Sequence, residues 1–230
     1  MGGDLRATRI FRGSLFNLGP NTHHIMSNEI LYVVLPEYAD HEIAYLAQAI
    51  NVDQYALKEH PKYINRIVAP TAEPVKSIGG FRVIPDYTFE NMPQDYAALV
   101  LIGGMGWTTP VADAVTPIVS RAVAEGRIVG AICNGASFMA KCGLLNNVHH
   151  TGNGLGQLKI WGGKQYTNSA GYINRQAVSD GRIVTANGSA TLEFAREMLL
   201  LLHADTPEAI DMFYRFNKDG FCALSKYPSE

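Results

Sequence analysis

Three short stretches of the chain hold residue types that could do chemistry. In Ala131-Ile132-Cys133-Asn134-Gly135 a cysteine stands between an apolar run, residues 128–132, and a helix-forming run, residues 136–142. A strand that turns at once into a helix through small residues, with a thiol at the apex, is the geometry of a nucleophile elbow. Gly135 lets the backbone close tightly behind the sulfur. The helix start directs unpaired N–H groups and a positive dipole end at it. This setting is expected to lower the thiol pKa from its ordinary value of about 8.5 and favour thiolate. A second apolar run ends in Gly103-Gly104, where the N–H of Gly104, with that of Asn134, could hold an oxyanion. A third stretch, residues 36–42, places Glu42 about one turn into a helix at the same sheet edge, where a carboxyl beside a thiolate would either have a raised pKa and donate a hydrogen bond to sulfur or help shuttle a proton.

Each of these residues also has a plainer reading. A free cysteine is most often a small buried hydrophobe, and that reading is kept for Cys142, late in a helix, and for Cys222 in the tail. For Cys133 the strand–Cys–Gly–helix context favours a reactive thiol. Glu42 alone would be a solvated first-turn acid, and Gly103-Gly104 alone a tight turn. Gly104-x-Gly106 and Gly152-x-Gly154-x-Gly156 lack the spacing of a dinucleotide-binding loop. Trp107 is a candidate wall of the pocket.

The elements that would position these residues follow a regular pattern. Apolar runs at 31–35, 63–68, 98–102, 128–132 and 182–185 read as strands, the unbroken ones as strands buried on both faces. Helical spacing is expected after Asp40 (a candidate N-cap) and over 111–125, 136–142, 190–203 and 207–216. Residues 75–77 and 81–84 around Gly79-Gly80 read as a hairpin, as do 177–179 and 182–185 around Asp180-Gly181. Strands alternating with helices predict an α/β fold with a mostly parallel sheet and helices on both faces. In such a sheet, ligands sit beyond the carboxyl ends of the strands, which is where Glu42, Gly104 and Cys133 fall. Pocket shape would rest on loops 53–75 and 146–176.

Composition narrows the function. The chain has 230 residues, 47% hydrophobic and 17% charged, enough for one sizeable core. With 19 basic and 21 acidic residues and net charge −2, it lacks the basic excess of a nucleic-acid binder. No apolar run reaches the roughly 18–20 residues of a membrane span. Three cysteines, Cys133, Cys142 and Cys222, with no CxxC pair, argue against a disulfide framework or a zinc site and for a cytoplasmic protein with reduced thiols. Residues 1–25 differ from the rest: Arg6, Arg9 and Arg12 face a single acid, Asp4. They read as a leader or extended start outside the fold, in preference to a transit peptide, and they lack the apolar core of a secretory signal. His23 and His24 are therefore treated as non-functional. The domain is expected over 26–205, with a C-terminal helix and tail over 206–230.

In this order, the strand ends resemble the ThiJ/PfpI superfamily, which includes the Parkinsonism-associated deglycase and the PfpI intracellular protease. The resemblance runs from about Glu29 to His203. It rests on Tyr38-Ala39-Asp40-His41-Glu42, on Leu101-Ile102-Gly103-Gly104, and on the Ala-x-Cys-x-Gly elbow at 131–135. Gly143-Leu144-Leu145, Asp180–Ala186 and Leu192-Glu193-Phe194 complete it. It implies a class I glutamine amidotransferase-like, flavodoxin-like three-layer sandwich, with Cys133 and Glu42 as catalytic residues. It also implies a homodimer, a small-molecule substrate and no metal or organic cofactor.

One departure stands out. Many members place a His directly after the Cys or in a Thr-x-His further on, whereas here Asn134 follows Cys133 and Thr151-Gly152-Asn153 carries Asn. His149 and His150 are the nearby candidates for support, with Asn153. Glutamine hydrolysis is not expected, because His203 is followed by Ala204-Asp205 and no late His-x-Glu exists. The leading expectation is a cysteine-dependent hydrolase or lyase acting on a small electrophile by deglycase/glyoxalase, isonitrile-hydrating or peptidase chemistry. The alternatives are a redox or ligand sensor with an oxidisable Cys133 and a structural or chaperone-like homodimer with a vestigial site.

Overall fold

A computed structural model describes residues 27–52 and 62–224. The leader, with His23 and His24, part of the 53–75 loop and the side chain of Cys222 lie outside the described residues.

The alternation of apolar residues along the first strand, β1 (Glu29–Val33), builds two cores at once. Leu31, Val33 and Leu35 point to one face and Ile30, Tyr32 and Val34 to the other, all essentially without solvent exposure. A strand buried on both faces must be covered on both, and the helices divide accordingly. The Leu31 face receives α2 (Val115–Ala124) and α3 (Asn134–Lys141), through Val115, Val119, Ala136 and Phe138. The Tyr32 face receives α1 (His41–Asn51) and α5 (Thr191–Leu202), through Leu46, Ile50, Phe194 and Met198. This is the expected flavodoxin-like three-layer sandwich.

The remaining strands are β2 (Ile64–Ala69), β5 (Tyr87–Thr88), β6 (Ala98–Leu101), β7 (Ile128–Ile132), β8 (Ala177–Asp180) and β9 (Ile183–Ala186); β3 (Val75–Lys76) and β4 (Arg82–Val83) form a separate antiparallel hairpin. The main sheet runs β5-β2-β1-β6-β7-β9-β8, parallel throughout except for the β8–β9 pair. The chain moves outward from β1 to β2, then returns to place β6 on the other side of β1. That reversal opens the crevice in which ligands of such sheets bind. Register brings Val33 beside Leu101, Leu101 beside Ala131, and Ile132 beside Ala186. The four strands therefore discharge their next residues at one level, and Gly103, Cys133 and Asn187 follow within a residue or two.

Some elements differ from the sequence pattern. The expected helix over 111–125 opens as a 3-10 turn, Pro110–Ala114, before α2 begins. A further helix, α4 (Leu155–Gly162), was not expected: only Leu158 and Gly162 are buried, so it carries no apolar stripe to read. Asp40 does not cap α1 with its side chain. Its carboxylate reaches across to the β3–β4 turn and accepts from the Gly79 N–H at 2.9 Å, anchoring that hairpin over the crevice. Beyond the sandwich, α6 (Pro207–Asp219) lies on α5, with Ile210 in the core and Lys218 bonded to Glu193 at 2.7 Å. The chain's last described helix is α7 (Phe221–Leu224). Among the described residues no helix is long and apolar enough to cross a membrane.

Candidate functional site

Cys133 sits between β7 and α3 with φ 58° and ψ −124°. A non-glycine residue with positive φ is strained by its own Cβ, and such strain marks functional positions when the surroundings enforce it. Here they do. The Cys133 N–H is tied to the Ala186 carbonyl at 2.9 Å, and its own carbonyl accepts from the N–H groups of Ala136 and Ser137. Gly135 lies so close to β6 that a Cβ there would fall 2.5 Å from the Leu101 carbonyl oxygen. Sequence and geometry agree on the elbow.

Glu42 comes to the thiol from α1 and is only 2% exposed. Its Oε2 accepts from the Gly103 N–H at 2.6 Å, and the carboxyl and the Cys133 side chain lie together against Gly103 and Gly188. Burial raises the carboxyl pKa, opposed by the Gly103 N–H, the thiol and the nearby His41. The Cys133 thiol is raised too, first by burial and then by the Glu42 charge; the Asn153 amide and the Asn134 N–H pull the other way. The expectation of a depressed thiol pKa is therefore overturned. A helix start favours thiolate, but a buried carboxylate in contact disfavours a second negative charge. Thiol and carboxyl in contact titrate as a coupled pair, each pushed toward its neutral form by burial.

The neighbouring backbone is zipped around this pair. Glu37 has φ 60° and Gly104 φ 130°. The Ala39 N–H donates to Gly103 and the Met105 N–H to Glu37, so the loops after β1 and β6 form one unit. Asn134 donates from Nδ2 to the Gly104 carbonyl at 2.8 Å and accepts from Gln157 of α4, also at 2.8 Å. Asn134 is thus a brace through its side chain, while its N–H is directed at the sulfur. The Gly104 N–H bonds to no other described residue and belongs to the wall of the cavity.

The candidate histidines are elsewhere. His150 is fully buried, bonded through Nδ1 to the Val148 carbonyl at 2.9 Å and through Nε2 to the Tyr166 hydroxyl at 2.7 Å. Burial holds it below the ordinary imidazole range. His149 pairs with Asp180 at 2.9 Å. Neither lines the cavity. Of the three candidates for support, only Asn153 reaches the nucleophile: its Nδ2 donates to Sγ at 3.3 Å. Trp107 is not a pocket wall either. It is buried against Phe138 with Nε1 donating to the Ile102 carbonyl.

The thiol opens into a cavity of about 660 Å³. Loop 146–176 contributes Gly152, Asn153, Gly154, Tyr172 and Asn174, as expected, but the described part of 53–75 contributes nothing. The β3–β4 turn supplies Ile78 instead, and the start of α1 supplies His41. Sequence reasoning passed over His41, although it stands directly before Glu42 in the stretch already singled out. Among the described residues no cluster of His, Cys, Asp and Glu could hold a metal ion.

Comparison with known proteins agrees with this architecture. The model of the DJ-1/PfpI family matches residues 28–201. In Bacillus subtilis (strain 168), the uncharacterized protease YdeA is 37% identical over 191 residues, which is 83% of this chain and 91% of that protein. The solved structure of the DJ-1 superfamily protein Atu0886 from Agrobacterium tumefaciens is 34% identical. It has a TM-score of 0.73 and covers 84% of this chain and 98% of its own. The thiJ/pfpI family protein from Bacillus anthracis is 30% identical with a TM-score of 0.77, covering 84% and 92%. The matched span contains β1 through β9, the elbow and the Glu42 loop, and the chain belongs to the DJ-1/PfpI family.

Proposed function

We propose that this protein is a cysteine-dependent hydrolase or lyase acting on a small, uncharged electrophile, with Cys133 as nucleophile and Glu42 as its base. The observation that carries this reading is the strained Cys133 held in contact with the buried Glu42 carboxyl at the floor of an open cavity. Sγ attacks the electrophilic carbon of the substrate while the thiol proton passes to the Glu42 carboxylate, so no free thiolate need accumulate. Charge then develops on the substrate oxygen or nitrogen, for which the Gly104 N–H is the open donor. In a hydrolase, collapse of the adduct passes the proton from Glu42 to the departing group. A water deprotonated by Glu42 then attacks the same carbon and breaks the S–C bond, its proton returning to sulfur. In a lyase, collapse breaks the S–C bond directly and the proton returns from Glu42 to sulfur.

The lining supports the substrate class. Asn134, Asn153, Asn174, Gln176 and Asn187 present carboxamides, and among the described residues no lysine or arginine lines the cavity. An anionic substrate would meet the Glu42 carboxylate without a fixed countercharge, whereas hydroxyl, carbonyl and amide groups find donors and acceptors. The sensor reading is less well supported, because peroxide attacks the thiolate and this thiol is pushed toward its protonated form.

The test is turnover of a panel containing glyoxal, methylglyoxal, glyoxylate, isonitriles and short peptides by wild type and Cys133→Ser. The reading predicts turnover of at least one uncharged member, lost about 10³-fold or more in Cys133→Ser. Stoichiometric peroxide conversion of Cys133 to sulfinate, with no turnover of any member, would replace it with sensing.

A further inference from the structure

His41 occupies a place that no role assigned above explains. It is the first residue of α1, its imidazole is exposed on the cavity wall, and its Nε2 lies 3.2 Å from the Gly188 carbonyl oxygen. A carbonyl can only accept, so this nitrogen carries the proton, whether the ring is neutral or charged. Gly188 is packed against the nucleophile: a Cβ built there would fall 2.8 Å from Sγ and 3.2 Å from the Cys133 Cβ. The Gly188 N–H donates at 2.9 Å to Oδ1 of Asn153. With its oxygen engaged there, the carboxamide must turn its NH₂ toward the sulfur, where Nδ2 donates at 3.3 Å.

We propose that His41 is a positioning residue for the nucleophile. Through Gly188 it orients Asn153, and so decides how strongly a hydrogen-bond donor faces the Cys133 thiol. The chain of bonds joins three separate segments: the N-terminus of α1, the turn between β9 and α5, and the loop before α4. Without His41, the α1 end of that chain is lost, and the Gly188 turn is held by its bond to Asn153 and by bonds within its own neighbourhood, from Ser189 N–H and Oγ to Asn187 Oδ1 and from Asn187 Nδ2 to Gln176. The Gly188 N–H that selects the Asn153 orientation is then held less firmly in place. The inference rests on Cys133 being the nucleophile.

It is tested by the rate of Cys133 alkylation with iodoacetamide against pH, read by mass spectrometry of the Cys133 peptide. The proteins are wild type, His41→Ala, His41→Gln, Asn153→Ala and the double variant His41→Ala/Asn153→Ala. Among the described residues, the titratable groups that line the cavity with the thiol are Glu42, Tyr172 and His41 itself, and Glu42 and Tyr172 are common to all five proteins. His41→Ala and Asn153→Ala should each slow alkylation at pH 7.5 by about 5- to 10-fold and move the profile to higher pH. The double variant should be no slower than either single one, because both break the same chain. His41→Gln, whose amide can donate to Gly188, should recover most of the rate. A His41→Ala profile that superimposes on wild type while Asn153→Ala shifts would overturn the proposal, as would effects that add. The readout needs no turnover. A protein that turns over nothing yet shows the His41 effect removes the proposed function and leaves this inference standing. Turnover lost in Cys133→Ser with no His41 effect does the reverse.

Discussion

Helix α3 has a cysteine at each end, and the two thiols differ in almost everything except their burial. Cys133 at the start and Cys142 at the C-cap are both half-buried, and burial raises both above the ordinary thiol range. Cys142 meets the Thr116 hydroxyl at 3.8 Å and does not line the cavity into which Cys133 opens. Cys133 has the Glu42 carboxyl and the Asn153 amide against it and open volume in front of it. Under the function proposed above, thiol acidity at rest does not mark the nucleophile; the carboxyl, the donor and the cavity around it do.

That contrast can be broken or sharpened by substitution. The largest effect is expected from the cysteines themselves: Cys133→Ser abolishes turnover, whereas Cys142→Ser stays within about twofold of wild type, measured as kcat/KM on any substrate the panel yields. Next is Gly188→Ala. Its methyl would sit 2.8 Å from Sγ, displacing the sulfur from its base, and should cost about tenfold or more in kcat with KM less affected. Cys142 alkylation in the same protein should not change.

The smallest effect is on stability. Burial raises the Glu42 pKa, so the folded protein holds that proton to a higher pH than the unfolded chain. The stability contributed by the protonated form is present below the ordinary carboxyl range and is lost as pH rises through the raised value. Glu42→Gln, neutral throughout, escapes that loss. At pH 7 it should raise Tm by about 2–4 °C, corresponding to about 1 kcal/mol, and the gain should vanish as the pH is lowered toward 4. A Tm for Glu42→Gln below wild type at pH 7 would contradict the raised value.

The elbow and the Glu42 loop were legible because their signals are local. The apolar run before Cys133 and the glycine two residues after it place the thiol at a strand end whatever the rest of the chain does. What was not legible depends on distant partners. His149 and His150 stand close to Asn153 in sequence, yet Asp180, Tyr166 and Val148 draw them away. Asp40 carries a capping side chain, but the Gly79 N–H of the β3–β4 turn takes it, while the Glu42 and Ile43 N–H groups bond to the Ala39 and Asp40 carbonyls. Helix α4 is bounded by glycines and buries only Leu158 and Gly162, so no periodicity announces it. It nevertheless supplies Gln157, the brace on Asn134. The sign of the thiol shift was misread for the same reason: the helix start is visible in sequence, and the burial of Glu42 against the sulfur is not.

The central claim is that Glu42 restrains the resting thiol and activates it during attack. The most direct measurement is a paired pH profile of Cys133 alkylation and of turnover in wild type and Glu42→Gln. Removing the charge that raises the thiol pKa should shift the alkylation midpoint to lower pH and speed alkylation several-fold near pH 8. Removing the base should lower kcat by about 10²–10⁴-fold. Alkylation and turnover that move together, or an alkylation midpoint that does not move, would contradict the account.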